Sequence, residues 1–361
     1  MKTALAQVSL SALQHNLAQV KQMAPESQVM AVCKANGYGH GLIEVAQALN
    51  KADAFGVARI EEAFNLRAAG INKTIVLLEG FFEAKDIASI AVNHFQTVIH
   101  NEKQLAELEQ AATELEIGIP IKVWLKIDTG MSRLGIHVSQ VDEFVSRLQA
   151  CACVHPDLVL MTHLACADEL NNKYNQTQLM AFKQASSAYS FSHSIANSAA
   201  TMVLDRAKQN WVRPGIMLYG VSPIEGETGL ERNLKPVMTL SSQLISVKKV
   251  DANTPVGYGG TWVTPSKTIL GVVAIGYGDG YPRHAKNGTP VLINGRIVPL
   301  VGRVSMDMIT VDLGCDSQDN IGDKAVLWGA GLPIEKVAES AETIAYEILC
   351  QLTTRVKWKY I

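Results

Sequence analysis

Several things are scarce in this chain of 361 residues, and each scarcity excludes a class of protein. Net charge comes first: 32 Lys and Arg stand against 34 Asp and Glu, giving −2, and neither sign runs in blocks. That argues against a nucleic-acid or anionic-membrane partner. Long apolar runs come next. The segments 75–78, 158–161 and the glycine-interrupted 269–275 fall far short of the roughly 20 residues that span a bilayer. Cysteine patterning is also missing. Cys33, Cys151, Cys153, Cys166, Cys315 and Cys350 form no C-x-x-C and have no histidine at ligand spacing. No metal site and no disulfide framework is indicated, and a reducing cytoplasm fits best. Charged residues are only 18% of the chain, against about 25% in an average soluble protein, while 48% are hydrophobic. Much surface must therefore be covered, inside the fold or against a partner subunit. The opening MKTALAQVSLSALQHN is interrupted by Gln7, Ser9, Ser11 and Gln14 and reads as a strand then an amphipathic helix, not a signal peptide.

What is present is alternation. Apolar, β-branched runs over 28–34, 54–59, 74–79, 96–100, 121–128, 158–164, 191–196 and 211–213 read as eight strands. Amphipathic segments near 42–50, 60–69, 84–93, 101–115, 139–150, 172–189 and 198–207 read as the helices between them. The pattern predicts an α/β fold whose N-terminal part is a (β/α)8 TIM-type barrel, with a doubly wound open sheet as the competing arrangement. Past Gly220 a Pro-, Gly- and Glu-rich linker leads to short alternating strands, so a mainly β C-terminal domain follows. We place the domains at 1–230 and 231–361, with the first few residues able to pair with the second. Asn294-Gly295 marks a two-residue hairpin. Late helices are expected near 334–339 and 345–352.

Reacting groups of a closed barrel sit at the C-terminal strand ends. Here those ends carry Lys34, Asp128 with the Arg133 loop, His163, Asn197 with Ser198, and Arg213. Lys34 follows the apolar VMAVC; desolvation there would lower an ammonium pKa and free an amine for an imine, whereas a rim lysine could equally snorkel to solvent. Ser198 opens a helix and Pro214-Gly215-Ile216 follows the last strand, which is where barrels hold phosphate on free N–H groups. An imine-forming lysine, a phosphate cradle and an arginine between them describe a pyridoxal 5′-phosphate site. Taken singly, Asn197 and Ser198 could be a helix cap and His163 a core histidine.

The residues AVCKANGYGHG around Lys34 resemble the cofactor-lysine signature of bacterial alanine racemases. The resemblance continues through KIDTGMSRLG (126–135), MTHLA (161–165), ANSAA (196–200), VRPGIMLYG (212–220), GYGGTW (257–262), IGYGDGYPR (275–283), GRVSMDM (302–308) and YEILC (346–350). It implies a homodimer with active sites shared between subunits, acting on alanine, that supplies D-alanine for peptidoglycan or serves alanine catabolism. Lys34 would hold the cofactor and act as one base. Tyr258, from the β-domain of the other subunit, would be the second, because racemisation needs proton carriers on opposite faces of the α-carbon. By the same resemblance Tyr38, Asn197, Ser198, Gly215, Ile216 and Tyr346 would hold the phosphate region. Arg213 would meet the pyridine nitrogen with His163 beside it. Arg133 and the Met306 N–H would take the substrate carboxylate, Lys126 is a candidate for carbamylation, and Tyr277, Tyr281, Arg283, Arg303 and Asp307 would line the entryway. Ser305, Ala345 and Ser132 depart from residues common in relatives, Ser132 replacing a glycine.

Three other readings compete. A barrel-plus-β decarboxylase would place a carboxylate, not Arg213, at the pyridine nitrogen. A cofactor carrier on a lone barrel would lack the second domain. A broad-specificity amino-acid racemase of the same fold remains the alternative, because it differs only in pocket width.

Overall fold

The computed structural model describes residues 4–114 and 118–361. Residues 1–3 and the end of the helix expected over 101–115 lie outside the described residues. The strands in chain order are β1 (Leu5–Val8), β2 (Gln28–Val32), β3 (Ala54–Val57), β4 (Thr74–Leu77), β5 (Phe95–Ile99), β6 (Val123–Asp128), β7 (Ile136–His137), β8 (Val159–Met161), β9 (Ser192–Ser194) and β10 (Trp211–Val212). They continue as β11 (Met238–Val250), β12 (Pro255–Val256), β13 (Trp262–Val263), β14 (Thr268–Val273), β15 (Pro290–Ile293), β16 (Arg296–Pro299), β17 (Ile309–Asp312), β18 (Lys324–Trp328) and β19 (Lys357–Tyr360).

Eight of these strands form one parallel ring in the order β5-β4-β3-β2-β10-β9-β8-β6, closed by β6 pairing with β5; the short β7 hangs on β6. The ring is the expected (β/α)8 barrel. Its inside is filled: Met30, Ala54, Val76, Val98, Trp124, Val159 and Met161 make their own buried cluster, against which Leu78 and Trp211 pack. Side chains alternate along a strand, so the next inward positions above this plug are Lys126 after Trp124, His163 after Met161 and Arg213 after Trp211. The period of two thus sets these three polar groups on an apolar floor. Outward residues such as Val29, Ala31, Phe55 and Val57 join the main core under the helices.

Several strands end earlier than the apolar runs imply, although β6 runs to Asp128 as expected. The strand expected over 28–34 stops at Val32, and that expected over 211–213 stops at Val212, so Lys34 and Arg213 both lie just beyond a strand. Arg213 keeps one bond to its neighbour, its N–H donating to the Ala196 carbonyl at 2.8 Å, so its side chain continues the inward alternation. The helix expected over 198–207 is Ser198–Val203 followed by a 3-10 turn at Asp205–Ala207.

The second sheet is built on the 13-residue β11, which pairs with β18, β14 and, antiparallel, β1. β1 also pairs in parallel with β19, so the chain's two ends are stitched side by side. Asn294 and Gly295 both take positive φ (47° and 76°) between Ile293 and Arg296, the two-residue turn their sequence signals. Helix Ala345–Cys350 returns from this region to pack on the segment after Lys34. No helix among the described residues is long and apolar enough to cross a membrane.

Candidate active site

A cavity of about 610 Å3 opens at the C-terminal ends of the barrel strands. Of the residues singled out from sequence it gathers Lys34, Tyr38, Lys126, Arg133 and His163 from the first six strands. Asn197, Ser198, Arg213, Gly215, Ile216 and Tyr346 complete its wall.

Lys34 starts a segment of uncommon backbone. Ala35, Asn36, Gly37 and Tyr38 follow one another at φ between 50° and 62°. Left-handed backbone costs a residue with a Cβ roughly 1–2 kcal/mol, so this turn is maintained by its surroundings. It swings Tyr38 under the cavity, where its ring stacks on Tyr219 at 4.7 Å and meets Tyr346 at 6.0 Å. The Tyr38 hydroxyl lies over Gly215: a Cβ there would come within 2.4 Å of it. Ser198 Oγ accepts from the Gly215 N–H at 2.8 Å and the Met217 N–H at 3.4 Å. Asn197 caps the following helix, its Oδ1 accepting from the Ala200 N–H. Hydroxyls of Tyr38 and Ser198 and a glycine amide therefore surround one small space. Burial pushes both the Tyr38 and Tyr346 phenols well up, so both stay protonated near neutral pH.

Arg213 is buried (4% exposed) and bonded within the chain through both of its terminal nitrogens. It donates to Ser194 Oγ at 2.7 Å, to the Thr162 carbonyl at 2.6 Å and to the Ile195 carbonyl at 3.3 Å. Its Nη2 is 3.4 Å from His163 Nδ1. A guanidinium only donates, so that ring nitrogen accepts. Burial, then the charges of Arg213, Lys126, Arg133 and Lys34, hold His163 well below the usual imidazole range. It is neutral. Burial lowers Arg213 itself to about 10, still charged at neutral pH. Lys126, also buried, is lowered to about 8 by desolvation first and then by Arg213, Arg133 and Lys34. Four cationic side chains thus share the wall with one carboxylate, Glu79.

Arg133 stands at the cavity mouth on a loop tied down by Asp128, whose Oδ1 accepts from the Gly130 and Ser132 amides. Ser132 takes φ +56°, which explains why glycine suits that position.

The remaining residues are not in this cavity. Tyr258 sits on a 3-10 turn between Gly257 and Gly259, both at φ +71°, and is 70% exposed. Met306 is 53% exposed, and its carbonyl accepts from the Gly278 N–H beside Tyr277. Asp307 pairs with Arg355 at 2.8 Å. Arg283 and Arg303 line a separate shallow hollow. Tyr281 does not reach that surface: it is 1% exposed and stacked on Trp328.

Sequence reasoning missed Glu79, although it ends the run 74–79 and the strand-end rule covers it. Arg59 holds it at 2.6 Å. Gln178 was missed too; it donates to the His163 carbonyl at 3.1 Å and to Thr129 Oγ1 at 3.3 Å, from a helix whose pattern gives no sign of that reach.

Residues 8–223 match the family model described as alanine racemase, N-terminal domain, and residues 237–360 that described as alanine racemase, C-terminal domain. The chain is 53% identical over 360 residues to an alanine racemase of Vibrio parahaemolyticus, covering 100% of this chain and 99% of that protein. It is 53% identical over 351 residues to one from Shewanella loihica, covering 97% of each. A crystal structure of a biosynthetic alanine racemase from Pseudomonas aeruginosa superposes with a TM-score of 0.96 at 43% identity, over all of both chains. One from Bartonella henselae, with covalently bound pyridoxal phosphate, gives 0.90 at 32% identity, again over all of both.

Proposed function

We propose, for a chain that belongs to the alanine racemase family, the interconversion of L-alanine and D-alanine with pyridoxal 5′-phosphate, in active sites shared across a homodimer. The observation that carries this is the meeting of Lys34, Arg213 and the space between Tyr38, Ser198 and Gly215 in one cationic cavity. Full-length similarity to alanine racemases favours alanine over a broad-specificity activity.

The residues present fit the cofactor. Gly215 has no Cβ, which lets the Tyr38 hydroxyl sit against its backbone where a Cβ would collide; hydroxyl and amide groups converge there, and Arg133 and Arg213 offer positive charge to a phosphate and a carboxylate. Tyr38, Ser198, Gly215 and Ile216 would hold the phosphate, with Asn197 and Tyr346 at its edge. When bound, pyridoxal phosphate draws electrons from an amino acid's α-carbon and makes its C–H acidic. Lys34 would hold the cofactor covalently and carry a proton at Nζ on one face of the substrate. Arg213 would donate towards the ring nitrogen without yielding its proton, which makes the ring a weaker electron sink and disfavours side reactions. His163, neutral, would pack beside it.

The opposite face needs its own proton carrier. Tyr38 and Tyr346 are held protonated by burial and cannot serve as the base near neutral pH. We assign the role to Tyr258 of the partner subunit: residues 231–361 of one copy would complete the cavity carried by residues 1–230 of the other. Tyr277, Arg283, Arg303 and Asp307 would form the way in, with Tyr281 behind them.

Arg133 and the Met306 N–H would bind the substrate carboxylate. Lys126, lowered to about 8, offers a neutral amine that can add carbon dioxide, releasing a proton and forming a carbamate. That would replace repulsion of Arg133 by a hydrogen-bonded pair. Carbon-13 bicarbonate should give a carbamate resonance that is missing in Lys126→Arg; its absence from the native protein removes this assignment. Free cysteines, three of them buried, suit a reducing compartment, and we place the protein in the cytoplasm.

The test is L-alanine with the protein and pyridoxal phosphate in deuterium oxide. Optical rotation should fall to zero while deuterium enters the α-carbon of both enantiomers. Rotation unchanged with cofactor bound would refute the reaction while sparing the cofactor site.

A further inference from the structure

The left-handed segment after Lys34 is disfavoured for residues carrying a Cβ, and three of its four members carry one. Side-chain contacts therefore help to hold it. Glu62 makes several: Oε1 accepts from the Ala35 N–H at 2.7 Å, while Oε2 accepts from the Ala58 and Arg59 amides at 2.9 and 3.2 Å. Asn36 secures the far end, its Oδ1 accepting from the Leu42 N–H at 2.9 Å. Neither acts on Tyr38.

His40 does. It is fully buried, and Nδ1 lies 2.8 Å from the Tyr38 carbonyl and 3.2 Å from the Gly37 carbonyl. Both partners are acceptors, so Nδ1 carries the proton. Burial lowers this imidazole to about 4, which keeps it neutral, and the two carbonyls select the tautomer protonated on Nδ1. The ring lies 4.8 Å from Tyr219, whose other neighbour is the Tyr38 ring at 4.7 Å. Tyr219 is itself anchored, donating to the Val32 carbonyl at 3.1 Å. Backbone and ring of Tyr38 are thus held by the same histidine, one directly and one through Tyr219.

We infer that His40 is a positioning residue for the phosphate site: by donating to the Gly37 and Tyr38 carbonyls and bracing Tyr219, it sets the Tyr38 hydroxyl over Gly215. This rests on the reading of Tyr38 as a phosphate ligand. His40 touches neither cofactor nor substrate, so its effect belongs in cofactor affinity rather than in turnover at saturating cofactor.

The experiment uses full-length protein stripped of cofactor and titrated with pyridoxal phosphate. His40→Phe keeps a ring against Tyr219 but removes the donor; it should weaken binding about tenfold, the worth of one buried hydrogen bond. His40→Asn, which restores a donor, should come back to within about threefold. In a Tyr38→Phe background the His40→Phe change should add less than about twofold, because the hydroxyl it positions is gone. His40→Phe binding as tightly as the native protein, or costing tenfold in both backgrounds, would overturn the inference. Should His40→Phe fail to fold, nitrogen-15 NMR of histidine-labelled native protein decides: a neutral ring protonated on Nδ1 at pH 7 is expected, and protonation on Nε2 contradicts it. A native chain that binds no pyridoxal phosphate would instead refute the cofactor reading, and the tautomer would still stand or fall separately.

Discussion

The rim of the barrel and the face of the β-domain are opposite in character. At the rim, Lys126, Ser198 and Arg213 are 7%, 4% and 4% exposed, and Ser198 and Arg213 are bonded to neighbours within the chain. On the β-domain, Tyr258 and Met306 are 70% and 53% exposed and stand outside the cavity, with Val263 and Met308 also exposed. Among the described residues no hydrogen bond orients the Tyr258 hydroxyl on its glycine-flanked turn. On the proposed reading, one chain would carry a finished cofactor half and an unfinished substrate half. The second would be completed by another copy covering it, which fits the low charged fraction of the sequence.

Substitutions on the two sides should fail differently. Lys34→Ala should abolish turnover, by about 10^4-fold or more, and remove the absorption of covalently held cofactor. Tyr258→Phe should also cost about 10^2 to 10^4 in turnover but leave that absorption in place, with solvent-deuterium exchange lost from one enantiomer more than the other. Equal loss from both, together with loss of cofactor, would erase the distinction between the halves. Arg213→Glu, which places a carboxylate where the ring nitrogen would meet it, should lower racemisation about a hundredfold and raise transamination, measured as pyruvate formed per turnover.

Smaller effects sharpen the picture of the barrel side. Lys126 in the folded chain is lowered to about 8 from 10.5, so between those values the unfolded chain binds the extra proton and stability rises with pH. Denaturation of carbon-dioxide-free protein at pH 7.5 and 10 should show that rise, and Lys126→Met should lack it. Ser132→Gly should relieve the positive φ and change stability by about 1 kcal/mol or less in the favourable direction, read as a small increase in Tm.

Much of the barrel was legible because its strands are buried on both faces and read as β-branched runs; the period of two then puts Lys126, His163 and Arg213 on one apolar floor. The turn after Lys34 was not legible. Asn36 and Gly37 accept left-handed backbone, but Ala35 and Tyr38 argue against it, and what holds them is Glu62, 27 residues from Ala35, and a buried ring. The same limit hid Gln178, whose role depends on two strands meeting its helix. β19 also went unnoticed, since KWKY acquires its meaning only beside β1. Tyr258 is the reverse case: its place in the sequence motif stands out, while in the protomer its side chain is simply an exposed one.

The central claim is that one site is made by two chains, and subunit mixing tests it most directly. Lys34→Ala and Tyr258→Phe proteins, each inactive alone, should regain about a quarter of native activity when unfolded together and refolded at equal amounts: half the dimers are mixed, and each holds one intact site. Activity staying at the level of the two inactive parents, with mixed dimers present, would mean that Lys34 and Tyr258 do not meet across subunits.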